Sequence, residues 1–320
     1  MGDAHPRGDT HTVSLSPRPP AHRGGRGPTG RDTGRTVVGP AVVAAVMVLL
    51  LVCAAAVWVA NLVSSATTDA DAPLPTDDAG PAPTTPALSF VGFDAGDIMS
   101  DAVFFDATTM DERQIAAFID TWNAGCRTGS DGSPCLADYR EDTASQPADA
   151  WCPGGFEGTT GDTAAAVISK AARGCGINPQ VLLTILQKEQ GLLTASGDAL
   201  DATRYRSAMG YACPDGADCD PVYADFSRQV WFAARQFQIY RSDPASFGVI
   251  PGQSVAIRFA PNPSCGSAEV TVLNQATAGL YAYTPYQPDE AAMLGGVDSC
   301  ASFGNLNFYA YFTAWFGSTH

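Results

Sequence analysis

The chain has almost no histidine where a catalytic domain would need one. Its four imidazoles belong to His5, His11, His22 and His320, so the long stretch between positions 23 and 319 has none. Ser/His/Asp triads, Cys/His pairs and most catalytic zinc sites use an imidazole as base or ligand. Those chemistries are excluded unless the last residue serves. Lysine is nearly missing too, with only Lys170 and Lys188, and residues 37–68 carry no charge of either sign. No CxxC spacing occurs, which argues against a metal cluster, and no internal repeat is found.

What is present divides the 320 residues unevenly. Residues 1–36 hold six Arg and three Asp among Gly, Pro and Thr, with almost no large apolar side chain. A segment of that kind cannot bury a core and is expected to be a disordered basic tail. Residues 37–63 contain AVVAAVMVLLLVCAAAVWVA, twenty apolar residues from Ala41 to Ala60. At about 1.5 Å per residue this run spans the roughly 30 Å hydrocarbon core of a bilayer, so a single transmembrane helix is expected. Arg23, Arg26, Arg31 and Arg35 precede it and the first charges after it are acidic, which predicts a cytoplasmic N-terminus and an extracellular C-terminal domain. The alternative is a cleaved signal peptide with an unusually long leader, for which Ser64, Ser65 and Ala66 offer a cleavage site. A lipoprotein is disfavoured because Val52 precedes Cys53.

Residues 64–88 read as an acidic Pro/Thr linker, extended and semi-rigid. Residues 89–320 then form one domain. Beyond position 36 there are 12 basic and 30 acidic side chains, a surface that repels phosphate backbones and excludes nucleic acid as a partner. Eight of the nine cysteines lie in this domain, an even number in an outward-facing segment, which predicts disulfides. Their order suggests four sequential loops, namely Cys126 with Cys135, Cys152 with Cys175, Cys213 with Cys219, and Cys265 with Cys300.

Periodicity predicts a mainly α domain with a small β element. Helices are expected over Met110–Trp122, Thr163–Arg173, Pro179–Gln190 with Asn178 as N-cap, Pro221–Tyr240 and Asn305–Phe316. Short strands are expected over Ser254–Phe259 and Glu269–Leu273. On the third helix Leu182, Ile185, Leu186 and Glu189 share one stripe, so a carboxylate ends an apolar face in the last turn before Gly191. Apolar surroundings and the negative end of the helix dipole both disfavour its ionised form. Such a group is expected to keep a proton near neutral pH, as a glycosidase general acid must. The plain alternative is a helix-end Glu that turns to solvent or pairs with Arg204 or Arg206.

The segment LLTILQKEQGL resembles the catalytic helix of lysozyme-like lytic transglycosylases and glucosaminidases. SAMGYACP, residues 207–214, resembles the GAxGLMQ loop of the transglycosylases, and NQATAGLYAYTPY, residues 274–286, is similar to their later Ala/Asn/Tyr helix. From Phe90 onward the chain also resembles a group of secreted or anchored actinobacterial proteins, often labelled hemagglutinin, through its KEQGL, AMG, NQATA, YTPYQP and YFTAWFGS blocks. Gln190 stands where transglycosylases commonly have Ser, the gap from Glu189 to Ala208 is long, and Tyr211 and Ala212 replace Leu and Met.

The resemblance implies a lysozyme-like fold, peptidoglycan glycan strands as substrate and no cofactor. Glu189 would be the acid/base, Ser207, Met209 and Tyr211 would line the glycan groove, and Tyr281 or Tyr283 would steady the reacting sugar. A second carboxylate would come from Asp201, Asp218, Asp220 or Asp225, each of which also reads as a turn or cap residue. DGADCD, residues 215–220, lacks the spacing of a calcium loop. Tyr205, Tyr286 and Trp151 are further aromatics that could stack on sugars, whereas Phe308, Tyr311, Phe312, Trp315 and Phe316 are expected to fill the core. The rival function is a non-catalytic wall-binding or adhesion module.

Overall fold

The computed structural model describes residues 86–214 and 218–320. The basic tail, the apolar run with Cys53, all but the end of the linker, and residues 215–217 of the acidic loop lie outside the described residues. No helix among the described residues is long and apolar enough to cross a membrane.

The described chain is mainly helical. Its α-helices are α1 (Asp101–Phe104), α2 (Glu112–Trp122), α3 (Ala164–Cys175), α4 (Pro179–Gln190), α5 (Ala202–Arg206), α6 (Phe226–Ser242), α7 (Gln275–Tyr283), α8 (Glu290–Met293) and α9 (Gly304–Phe316). Two small antiparallel sheets accompany them. β1 (Arg140–Glu141) pairs with β2 (Asp162–Thr163), and β3 (Ser254–Arg258) pairs with β4 (Ser267–Thr271) in a register that sets Ser254 opposite Thr271.

Local chemistry sets the helix boundaries. Asp111 and Gln114 form a reciprocal capping box at the start of α2, so the helix begins just inside the span its periodicity predicts. Thr163 and Asn274 cap α3 and α7 through their side-chain oxygens, and each such cap is worth about 1 kcal/mol. The expected helix over Pro221–Tyr240 is divided. Pro221–Tyr223 form a separate 3-10 turn, and α6 begins only after Asp225, whose carboxylate accepts the Arg228 amide. α7 stops at Thr284 because the following Pro285 disfavours helical backbone before it.

One cluster of buried side chains runs through these elements from Ile98 to Phe312. α3 packs against α2, α4 and α6, α6 against α7, and α4 against α9. Asn178, fully buried, shows how α4 is fixed: its amide donates to the Val103 carbonyl at 2.8 Å while its carbonyl accepts from Gln180 and Thr109. The four disulfides join Cys126 to Cys135, Cys152 to Cys175, Cys213 to Cys219 and Cys265 to Cys300, the sequential pattern expected. The C-terminal aromatics are only partly core. Phe308 and Phe312 are buried, but Trp315 and Phe316 stay half-exposed against Phe118 and Trp122 of α2, with Tyr311 beside Trp315, because α9 buries one face only.

Candidate functional site around Glu189

α4 places Glu189. Leu182, Ile185 and Leu186 of its stripe are wholly buried, and Glu189 one turn later emerges with 24% of its side chain exposed. Gly191 then ends the helix in the left-handed conformation. Neither Arg204 nor Arg206 reaches the carboxylate. Arg204 instead donates to the Gln190 carbonyl, one of the acceptors left free at a helix C-terminus, and Arg206 donates to Thr203. The partner of Glu189 is Lys188, whose ammonium donates to Oε1. The expected apolar shield is thereby corrected: an ammonium group is the nearest neighbour of this carboxylate.

Lys188 itself is nearly buried, at 6% side-chain exposure, and donates also to Thr284 Oγ1 at 3.0 Å. Its ammonium lies 5.9 Å from the centre of the Tyr283 ring. Thr284 sits at the end of α7, where Asn305 of α9 holds its carbonyl at 2.9 Å.

The loop after α5 closes the other side. A Cβ on Gly210 would stand 3.0 Å from Glu189 Oε2 and 3.3 Å from its Cδ, so a larger residue there would push the carboxylate aside by a few tenths of an ångström. Gly210 also has φ +71°, a left-handed conformation other residues adopt at a cost. Gln229 of α6, fully buried, fixes the loop: its carbonyl accepts the Met209 and Tyr211 amides at 3.2 and 3.0 Å, and its amide donates to the Tyr211 and Tyr223 carbonyls at 2.8 and 2.9 Å. Tyr283 bolts α7 to the same loop, its hydroxyl donating to the Met209 carbonyl at 2.5 Å. Burial, then the Glu189 charge beside it, hold that phenol well above its ordinary pKa.

The residues expected to line the groove are therefore divided. Tyr283 stands at the site beside Lys188, whereas Tyr211 packs its ring on Phe232 at 5.9 Å and on Tyr223 at 5.1 Å. Met209 contributes its backbone, since its side chain is wholly buried, and Ser207 turns its hydroxyl back to the Thr203 carbonyl at 2.9 Å. Tyr281 faces away. Two residues before Tyr283 on a helix, it points to the other side and is buried, where desolvation and then Asp94 raise its phenol pKa. Tyr205 is buried against Tyr139, Trp151 carries the Arg235 guanidinium 4.4 Å above its ring, and Tyr286 is engaged by its backbone to Arg258.

Asp201, Asp220 and Asp225 cap α5, the 3-10 turn and α6 respectively. Asp225 also pairs with Arg228 at 3.2 Å and lines a small cavity of about 60 Å³ with Asp142, Gln146 and Trp231. Among the described residues no three His, Cys, Asp or Glu side chains gather to hold a metal ion.

Lys188 and Gln229 were not singled out by the sequence. Gln229 had a signal, since a polar residue on the apolar Phe226, Val230, Ala233, Phe237 stripe needs buried partners. Searches against protein-family models, curated proteins and solved structures return no match for the chain.

Proposed function

We propose that the chain is a single-pass envelope protein whose lysozyme-like C-terminal domain cleaves peptidoglycan glycan strands, with Glu189 as general acid. The anchor rests on the Ala41–Ala60 run, Arg-flanked before and acidic after, which orients the domain outward. One observation carries the chemistry: a partly exposed carboxylate at a buried helix end, seated over Gly210 of a loop fixed by Gln229 and Tyr283. Protonated Glu189 gives its proton to the glycosidic oxygen as the C1–O bond breaks and that oxygen takes the electron pair. A hydroxyl of the same sugar then adds to C1 and returns its proton to Glu189, so no second carboxylate is needed.

The wall-binding reading is favoured by a different observation. Glu189 is tied to Lys188 in an ion pair, as a structural or binding carboxylate is. The variant Glu189→Gln separates the two, because it keeps size and hydrogen-bonding reach but cannot transfer a proton. General acid catalysis contributes about 10² to 10⁴-fold, so release of soluble glycan from purified walls should fall by that order while binding to the walls persists. Wild-type protein that binds walls without cutting them would support the module and end the enzyme reading.

A further inference from the structure

A cavity of about 150 Å³ lies away from Glu189, where the start of α3 meets α2, and a space of that size can hold a benzene-sized molecule. None of its lining residues belongs to the Glu189 site. Ala116 and Ile119 of α2, Leu136 of the 3-10 turn Leu136–Asp138, and Ala164 and Ala165 of α3 form its walls. Packed interiors leave few voids larger than a water molecule, and here the short alanine side chains keep one open.

The frame around this space is fixed before any ligand arrives. The Cys126–Cys135 bridge ends one residue before the turn, Asn123 accepts the Ala137 amide at 3.0 Å, and β1 sets Arg140 opposite Thr163, the N-cap of α3. A preformed, mostly apolar hollow with a few polar groups is the usual form of a small-molecule site.

Two charged side chains complete the lining, Asp120 from α2 and Arg140 from β1, both exposed. They do not pair with each other. Arg140 Nη1 donates to the Ala137 and Tyr139 carbonyls at 3.2 and 2.7 Å, while its Nε and Nη2 and the Asp120 carboxylate make no hydrogen bond among the described residues. Opposite charges across one cavity fit a ligand that carries both signs, since a plain anion would face Asp120 and a plain cation Arg140. No aromatic side chain lines the space, so a sugar ring has no face to stack on.

We propose that this cavity binds a small zwitterion of alanine size, with its carboxylate on Arg140, its ammonium on Asp120 and its methyl group against Ala164 and Ala165. Free alanine has this chemistry, and so has an alanine-ended peptide with an amine on the neighbouring residue. The inference stands apart from the reading of Glu189.

The test is saturation-transfer NMR on the full chain in detergent solution, with alanine, propionate, ethylamine, N-acetylglucosamine and an N-acetylated Lys-Ala dipeptide as probes. At the rim of a cavity each charged contact is worth between a surface ion pair and a buried charged hydrogen bond, about 5 to 30-fold in affinity. Propionate and ethylamine, which each lack one charge, should bind more weakly than alanine by that factor. Arg140→Gln should weaken alanine and propionate but not ethylamine, and Asp120→Asn should weaken alanine and ethylamine but not propionate. Tighter binding of free alanine than of the dipeptide identifies an amino-acid site, and the reverse order a peptide-end site.

Ala116→Leu tests the cavity itself. Ala116 is half-exposed, so the added carbons enter the hollow from its open side and should abolish binding of every probe. Alanine that gives no signal with the wild-type protein, or binds both charge variants as it binds wild type, overturns the proposal. Unchanged alanine binding in folded Ala116→Leu, or preference for N-acetylglucosamine, overturns it as well. If Ala116→Leu fails to fold, the two charge variants, both at exposed positions, still decide the matter.

Discussion

Replacing Gly210 with Ala tests whether the loop positions Glu189 or merely passes near it. Two penalties follow from the geometry. A Cβ at φ +71° costs about 1 to 2 kcal/mol of backbone strain. In a domain of this size that lowers the melting temperature by roughly 2 to 8 °C. The second penalty is particular to this site, because the new methyl would lie 3.0 Å from Glu189 Oε2 and 3.3 Å from its Cδ. The carboxylate must shift by a few tenths of an ångström, and it is the end of a flexible side chain, so it yields. Displacement of an acid by up to about 1 Å costs about 10² in rate, so a loss of roughly 10 to 100-fold is expected. Gly176 supplies the control. It has nearly the same backbone, φ +66°, at the end of α3, but its added Cβ would meet only Gln238 Nε2 at an ordinary 3.7 Å. Thermal melts should show similar losses for Gly176→Ala and Gly210→Ala, while wall digestion falls only in the latter. Equal activity in the two variants would refute the positioning role of the loop.

Other outcomes follow from groups away from Glu189. Glu141 has its pKa raised chiefly by burial, with Asp225 adding like charge, and its Oε1 is buried without a partner. A carboxyl whose folded-state pKa is raised contributes stability while protonated and loses it as pH rises through the folded value. Glu141→Gln should therefore raise the melting temperature at pH 7 by about 2 to 4 °C, with the gain vanishing below the ordinary Glu range; an equal gain at every pH would show that charge is not the cause. Thiol titration of the unreduced, denatured full chain should count one cysteine, Cys53, and a count of two or more would break the disulfide assignment. In the loop-entropy model the bridge of separation 35, Cys265–Cys300, contributes about 4 kcal/mol and that of separation 6, Cys213–Cys219, about 2. Denaturant titration of the two Cys-to-Ala pairs should rank in that order, and the reverse ranking would mean that native packing governs their contributions.

Local signals were legible wherever one residue decides the outcome. Asn178 with Pro179 announces α4, and the cysteine order gives the pairing. Periodicity alone misled where a cap intervenes: apolar residues continue in register through Pro221–Tyr240, but Asp225 accepts an amide from α6 and begins the helix there. Tyr281 and Tyr283 show what a motif conceals, since two residues along a helix are half a turn apart and only one can face Glu189. Contacts made across the fold had no local trace. Gln229 meets the 207–211 loop 18 to 20 positions away, and Thr284 meets Lys188 at a separation of 96.

The end of α4 explains why lysine and glutamate occur together there. A carboxylate in the last turn of a helix opposes the macrodipole, whose C-terminal end is negative, whereas an ammonium in that turn is favoured by about 0.3 to 1 kcal/mol. Lys188 is the basic residue of that last turn, and Arg204 brings a second cation to the Gln190 carbonyl. With both in place, Glu189 faces a helix end whose free carbonyls and negative pole are already countered. A carboxylate can then be held at a fixed point over Gly210 without being expelled to solvent. Lys188 thus both counters the helix end and holds Glu189 in place.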